Sequence, residues 1–259
     1  MLNRTQSALV VFMSSKEAAA DDLPGSHTAE PHREGVAQKL NWLRAGVLGA
    51  NDGIVSVAAI VVGVAGATAS FAAILTAGLA ALVGGAVSMA LGEYVSVSSQ
   101  RDSEHAMIVK ETRELAEMPE QELEELAGIY QAKGLSPQTA KQVAIELTEH
   151  DALGAHLAAE LNIDPTDVVS PWHAAFASAI AFTVGGILPL IAILVLQDGW
   201  RVPLTFLVVL VALAGTGALA AYIGGSSRPR AMIRVVVGGA LALAATYAIG
   251  TLLGTSGVV

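Results

Sequence analysis

AGVLGANDGIVSVAAIVVGV, residues 45–64, sets an aspartate, Asp52, inside a run apolar enough to be a membrane-spanning helix. LVGGAVSMALGEYVSVSS, residues 82–99, repeats the pattern with Glu93. A spanning helix needs about 20 apolar residues, and an ionisable side chain at its centre costs about 2.5–3.5 kcal/mol. Two such carboxylates imply a polar pathway or an ion site in preference to lipid contact.

The remaining composition agrees with a membrane protein. Hydrophobic residues make up 53% of the 259 and charged residues only 14%, too apolar a balance for an ordinary soluble domain of this size. There is no cysteine, so any metal must be held by carboxylate, imidazole, thioether, carbonyl or water. The net charge of −9 is concentrated: residues 100–173 carry fifteen Asp and Glu against five Lys and Arg, and the rest of the chain is near neutral. A nucleic-acid partner would require a basic surface, which this chain lacks.

Five segments reach spanning length, near 44–66, 71–99, 174–196, 203–224 and 232–253. Basic residues flank them asymmetrically: Lys39 and Arg44 before the first, Arg101, Lys110 and Arg113 after the second, and Arg228, Arg230 and Arg234 around the fourth loop. The positive-inside rule then predicts the N-terminus and the acidic segment in the cytoplasm and the C-terminus outside, with Arg201 the one discordant charge. Residues 1–41 lack the long apolar core of a signal peptide and read as a mobile tail. The expected organisation is therefore all-α: a tail over 1–41, two membrane helices over 42–99, a cytosolic acidic domain of three helices over 100–172, and three membrane helices over 173–259.

Helical spacing aligns Gly85, Met89, Glu93 and Ser96 on one stripe, and Gly49, Asp52, Gly53 and Ser56 on another. Facing each other, the two stripes would enclose a small polar path. Each member also has a structural reading: the glycines and Met89 as packing, Asp52 as a helix-packing hydrogen bond. Pro189, interior to the third span, is either a kink or a device that frees a carbonyl for the pathway.

In the acidic segment the first helix continues from the second span to about residue 116, a second runs from about 119 to 133, and Ser136-Pro137 opens a third reaching about Leu161. Glu104, Glu111 and Glu114 share the first, and Glu122 and Glu125 the second. Glu146, Glu149 and His150 crowd one arc of the third, with His156 and Glu160 an i, i+4 pair beyond. Such spacing can hold a divalent cation when another helix completes the ligand set, yet an acidic helix is also commonly a solvated face.

WLRAGVLGANDGIVS at 42–56, GGAVSMALGEYVSVSSQRDSE at 84–104, EHDALGAH at 149–156 and AFASAIAFTVGGILPL at 175–190 together resemble the vacuolar iron transporter family, over about five sixths of the chain. The resemblance implies a dimer of five-helix subunits that exchanges cytosolic ferrous iron for protons. It carries Asp52 and Met89 onto translocation-path ligands and Glu93 onto the family's Gly-Glu motif. Glu104, Glu111, Glu114, Glu122 and Glu125 fall on glutamates of its cytosolic metal-binding domain. His156 and Glu160 align with a methionine–glutamate ligand pair, so an imidazole replaces a thioether.

No resident cofactor is expected. The oxygen-rich donor set suits Fe²⁺ and Mn²⁺ as transported ions and disfavours copper(I). A bacterial plasma membrane is the expected location. A passive channel or a metal sensor on the same scaffold is the alternative. A di-iron ferroxidase, for its part, would need two Glu-x-x-His elements, and neither His150 nor His156 has a glutamate three residues before it.

Overall fold

The computed structural model describes residues 36–163, 170–196 and 199–256, with side chains from residue 46 onward. The predicted tail thus lies outside the described residues up to 35, and helix begins within it, at Val36. Among the described residues there are seven helices and no strand: α1 (Val36–Ala67), α2 (Phe71–Glu117), α3 (Pro119–Ala132), α4 (Pro137–Ala159), α5 (Pro171–Val195), α6 (Arg201–Ile223) and α7 (Arg228–Thr255). Gly46–Ala67 of α1, together with α2, α5, α6 and α7, are long and apolar enough to cross a membrane.

Proline recurs where helices start. Pro119, Pro137 and Pro171 each occupy a first turn, where the missing N–H has no intrahelical acceptor to lose. Two compact units result. One contains residues 100–163, and the other contains 39–99, 170–196 and 199–256. At about 1.5 Å per residue the 47 residues of α2 are far longer than a bilayer core, and this helix contributes to both units.

The apolar unit is built around α1, whose Ile54, Val57, Ala58, Val61 and Val62 are all buried. Lipid hydrocarbon is as apolar as these side chains, so association has to come from close packing. Glycine permits it on two sides. A Cβ at Gly53 would collide with the Phe182 carbonyl of α5, and one at Gly185 with the Ala50 carbonyl of α1. Further along, a Cβ at Gly250 of α7 would strike the carbonyl of Gly63. Phe182 also fills the notch left by Gly85 of α2 with its ring, and it belongs to the same buried cluster as Ile54 and Val57 of α1. Outward, Val83, Val87, Leu91 and Val95 recur every fourth residue along α2 as an exposed apolar face suited to hydrocarbon. Pro189 is buried within an α5 that continues through it to Val195.

The acidic unit has a small core, Leu126, Ala127 and Ala144, lined by Leu123, Tyr130, Leu147, Ala155 and Ala159. Gly134, at φ 103°, makes the turn between α3 and α4. Ser136 caps α4 by accepting from the Thr139 N–H at 3.3 Å. The expected unbroken third helix is not what forms. Asp151, at φ −161° and ψ 86°, leaves the helical region, so α4 is two segments, 137–150 and 152–159. The sequence carries a trace of this in its apolar spacing, which jumps by six between Leu147 and Leu153.

Gly185→Leu is expected to force α1 and α5 apart, at the overpacking cost of about 1–3 kcal/mol or more. Gly215→Ala, in the interior of α6 with open space around it, should instead stabilise by about 0.4–1 kcal/mol. Thermal unfolding of the detergent-solubilised protein compares the two.

Candidate metal centre

Three helical segments converge inside the acidic unit. Glu111 comes from the distal end of α2. Glu122 comes from the first turn of α3 and His156 from the second segment of α4. Their relative exposures are 3%, 5% and 0%, which is extreme for ionisable side chains. Among the described residues they form the one cluster whose ligand atoms all lie within 4.8 Å of one another. His156 Nδ1 is 2.9 Å from Glu111 Oε1, 3.7 Å from Glu122 Oε2 and 3.6 Å from Glu160 Oε2.

The 2.9 Å separation has the length of a hydrogen bond without its direction. Glu111 Oε1 and both imidazole nitrogens lack a hydrogen-bonding partner, although all are buried. Buried polar groups are satisfied in nearly all folded proteins, because an unmatched one costs about 1–3 kcal/mol, and more when charged. A divalent cation satisfies carboxylates and a neutral imidazole together, and two carboxylates with one imidazole make a donor set suited to Fe²⁺ or Mn²⁺.

The electrostatics point the same way. Burial pushes the Glu111 carboxyl above the ordinary carboxylate range; Glu160 adds to the effect, and His156 opposes it. Glu122 is raised by burial first and by Glu125 next, again opposed by His156. Protonation is therefore easier in the folded chain than in the unfolded one, and a proton and a cation compete for the same carboxylate oxygens.

The other predicted ligands are placed differently. Glu160 borders the cluster from the solvent side as the expected i, i+4 partner of His156. Glu114 is tied to Lys110 at 2.7 Å, Glu104 accepts from Gln100 and Glu146 from Gln142, both at 2.8 Å. Glu125 and Glu149 are exposed. The structure thus brings together one residue from each helix and leaves most of the remaining carboxylates as a surrounding negative field.

In the apolar unit Asp52, Met89 and Glu93 are each half-buried. Asp52 accepts a 2.9 Å hydrogen bond from Ser56 one turn along its own helix, so its partner is intrahelical. The link between helices comes instead from Asn51, whose Oδ1 accepts from Thr216 of α6 at 3.5 Å. Sequence reasoning passed over Asn51; an amide in an apolar run beside Asp52 was the available signal. Met89 packs against the core cluster that includes Phe182, and Gly49, Gly53 and Gly85 are occupied by helix packing. The predicted stripes are present, but their glycines serve contact with α5. Ser178 Oγ of α5, fully buried and without a hydrogen-bond partner, is a further polar atom not foreseen.

The VIT family model matches residues 43–251, which takes in both units. The chain is 41% identical over 256 residues to the vacuolar iron transporter of Acanthamoeba castellanii, covering 97% of this chain and 95% of that protein. It is 38% identical over 218 residues to vacuolar iron transporter homolog 2 of Oryza sativa subsp. japonica, covering 84% and 93%. With vacuolar iron transporter homolog 2.1 of Arabidopsis thaliana the identity is 33% over 232 residues, covering 88% and 89%. Together with the five apolar helices, these matches make the chain an integral membrane protein.

A pH dependence follows from the raised carboxyls. A group whose folded pKa lies above its unfolded one contributes stability that is fully present below the unfolded value, here 4.5, and is lost as pH rises through the folded value. Without divalent metal, amide-exchange protection around Glu111, Glu122 and 152–159 should fall as pH is raised from about 4.5 toward neutrality, the ordinary carboxylate value marking its start. Mn²⁺ at neutral pH should restore it.

Proposed function

Because the chain belongs to the VIT family, we propose that it is a proton-coupled transporter exporting Fe²⁺, Mn²⁺ or both from the cytosol. The observation that carries the metal half of this reading is the buried Glu111–Glu122–His156 cluster, with its raised carboxyls and unpartnered atoms. Buried carboxylates beside an imidazole, in a chain whose described residues include five helices apolar enough to cross a membrane, fit a protein that captures a divalent cation.

Capture is coupled to proton release at this cluster, since Glu111 and Glu122 cannot hold a proton and the ion together. The excess of carboxylates around it raises the local concentration of divalent cations. Asp52 is the path carboxylate that alternates between proton and metal, with Met89 and Glu93 as further path ligands. Its Ser56 partner is compatible with either state, because a hydroxyl can donate to a carboxylate or accept from a carboxylic acid. The working unit is a homodimer in a bacterial plasma membrane, with the acidic unit cytosolic.

Proteoliposomes with an imposed pH gradient test the reading, following Mn²⁺ or Fe²⁺ and internal pH together. Metal uptake matched by proton movement is expected for the unaltered protein, with Asp52→Asn slowing it at least about 100-fold, the upper end of the loss seen when only an outer-shell partner of a metal ligand is altered. Metal flux without proton movement would replace the antiporter by a channel. Binding without flux would leave a sensor.

A further inference from the structure

The break in α4 has no proline at it, and it falls on an acid that takes up a helix-capping role. We infer that Asp151 is a positioning residue for the cation site, acting by ending one helix and capping the next so that His156 turns inward. The inference rests on the reading of Glu111, Glu122 and His156 as that site.

Register supplies the argument. In an unbroken helix His156 would lie seven residues past Glu149, within about 20° of it around the axis. Glu149 is exposed. The buried face of the first segment is marked by Ala140 and Ala144, and a straight continuation would put His156 about 120–160° away from it. Yet His156 is fully buried, with Nδ1 2.9 Å from Glu111 Oε1. The reversal occurs at Asp151, where the backbone turns extended.

Asp151 adopts the geometry of an N-cap. Its Oδ1 accepts from the Gly154 N–H, three residues on, at 3.0 Å. Gly154 is part of the device, because a Cβ there would collide with Asp151 Oδ2. The re-aimed segment is then seated by Leu157, which is buried, and by Ala155 and Ala159 against the Leu126 core. Lys133 Nζ donates to the Ala159 carbonyl at 3.4 Å near its end. With alanine at 151 the capping interaction is gone and a continuous helix, which alanine favours, carries His156 toward the Glu149 face.

The test uses the full-length chain in detergent with Mn²⁺ as the probe. Asp151→Ala should weaken Mn²⁺ binding at least about fivefold, the lost cap alone accounting for that factor and the lost imidazole ligand adding to it. It should also remove the imidazole nitrogen hyperfine coupling from the Mn²⁺ resonance and speed amide exchange over 152–159 in the metal-free protein. Gly154→Ala, which displaces the carboxylate, should do the same. Asp151→Ser, a competent cap without charge, should retain all three properties. Metal-free exchange unchanged in Asp151→Ala would overturn the inference, as would loss of the nitrogen coupling in Asp151→Ser. If the unaltered chain binds no Mn²⁺, the cation site itself is wrong, and exchange over 152–159 still decides whether Asp151 holds the segment.

Discussion

Two carboxylates and an imidazole buried together impose the main constraint on the acidic unit. Desolvation opposes ionising Glu111 and Glu122, while their proximity to Glu160 and Glu125 opposes it again. The apolar core beside them is small, built largely from Leu126 and alanines, so it contributes limited burial. Stability and charge state are consequently linked: protons or a divalent cation can balance the cluster, and the two compete. Under the function proposed above, metal binding and proton release at this cluster would be one event.

The apolar unit meets a different constraint. Without a hydrophobic driving force between helices, α1 is held by backbone proximity, through Gly53 and Gly185 toward α5 and through Gly63 and Gly250 toward α7. This packing leaves few places for polar atoms. Those that remain, Asp52 with Ser56, Asn51 with Thr216, and the unpartnered Ser178, are therefore conspicuous. Each stands where an apolar residue would have packed at lower cost.

Much of the fold was legible in the sequence because hydropathy and punctuation are local signals. Apolar length located the five spans, and Pro119, Ser136 and Pro137 located the starts of α3 and α4. The buried cluster was legible only as a set of candidates. Spacing along one helix can pair His156 with Glu160, but choosing Glu111 over Glu104, or Glu122 over Glu125, depends on how three helices pack, which no single-helix periodicity contains. The break at Asp151 was missed for a related reason. Aspartate is tolerated in a helix, and its capping role becomes visible only once the Gly154 N–H is seen to be its partner. Likewise the glycines beside Asp52 carried both a path and a packing reading, and only tertiary contact shows the packing against α5.

The most direct measurement is X-ray absorption at the metal edge of the full-length protein loaded with one equivalent of Fe²⁺ or Mn²⁺. The account predicts a mixed oxygen and nitrogen shell with the outer-shell scattering of a single imidazole, and loss of that scattering in His156→Ala. An all-oxygen shell in the unaltered protein, or one indifferent to His156, would contradict it.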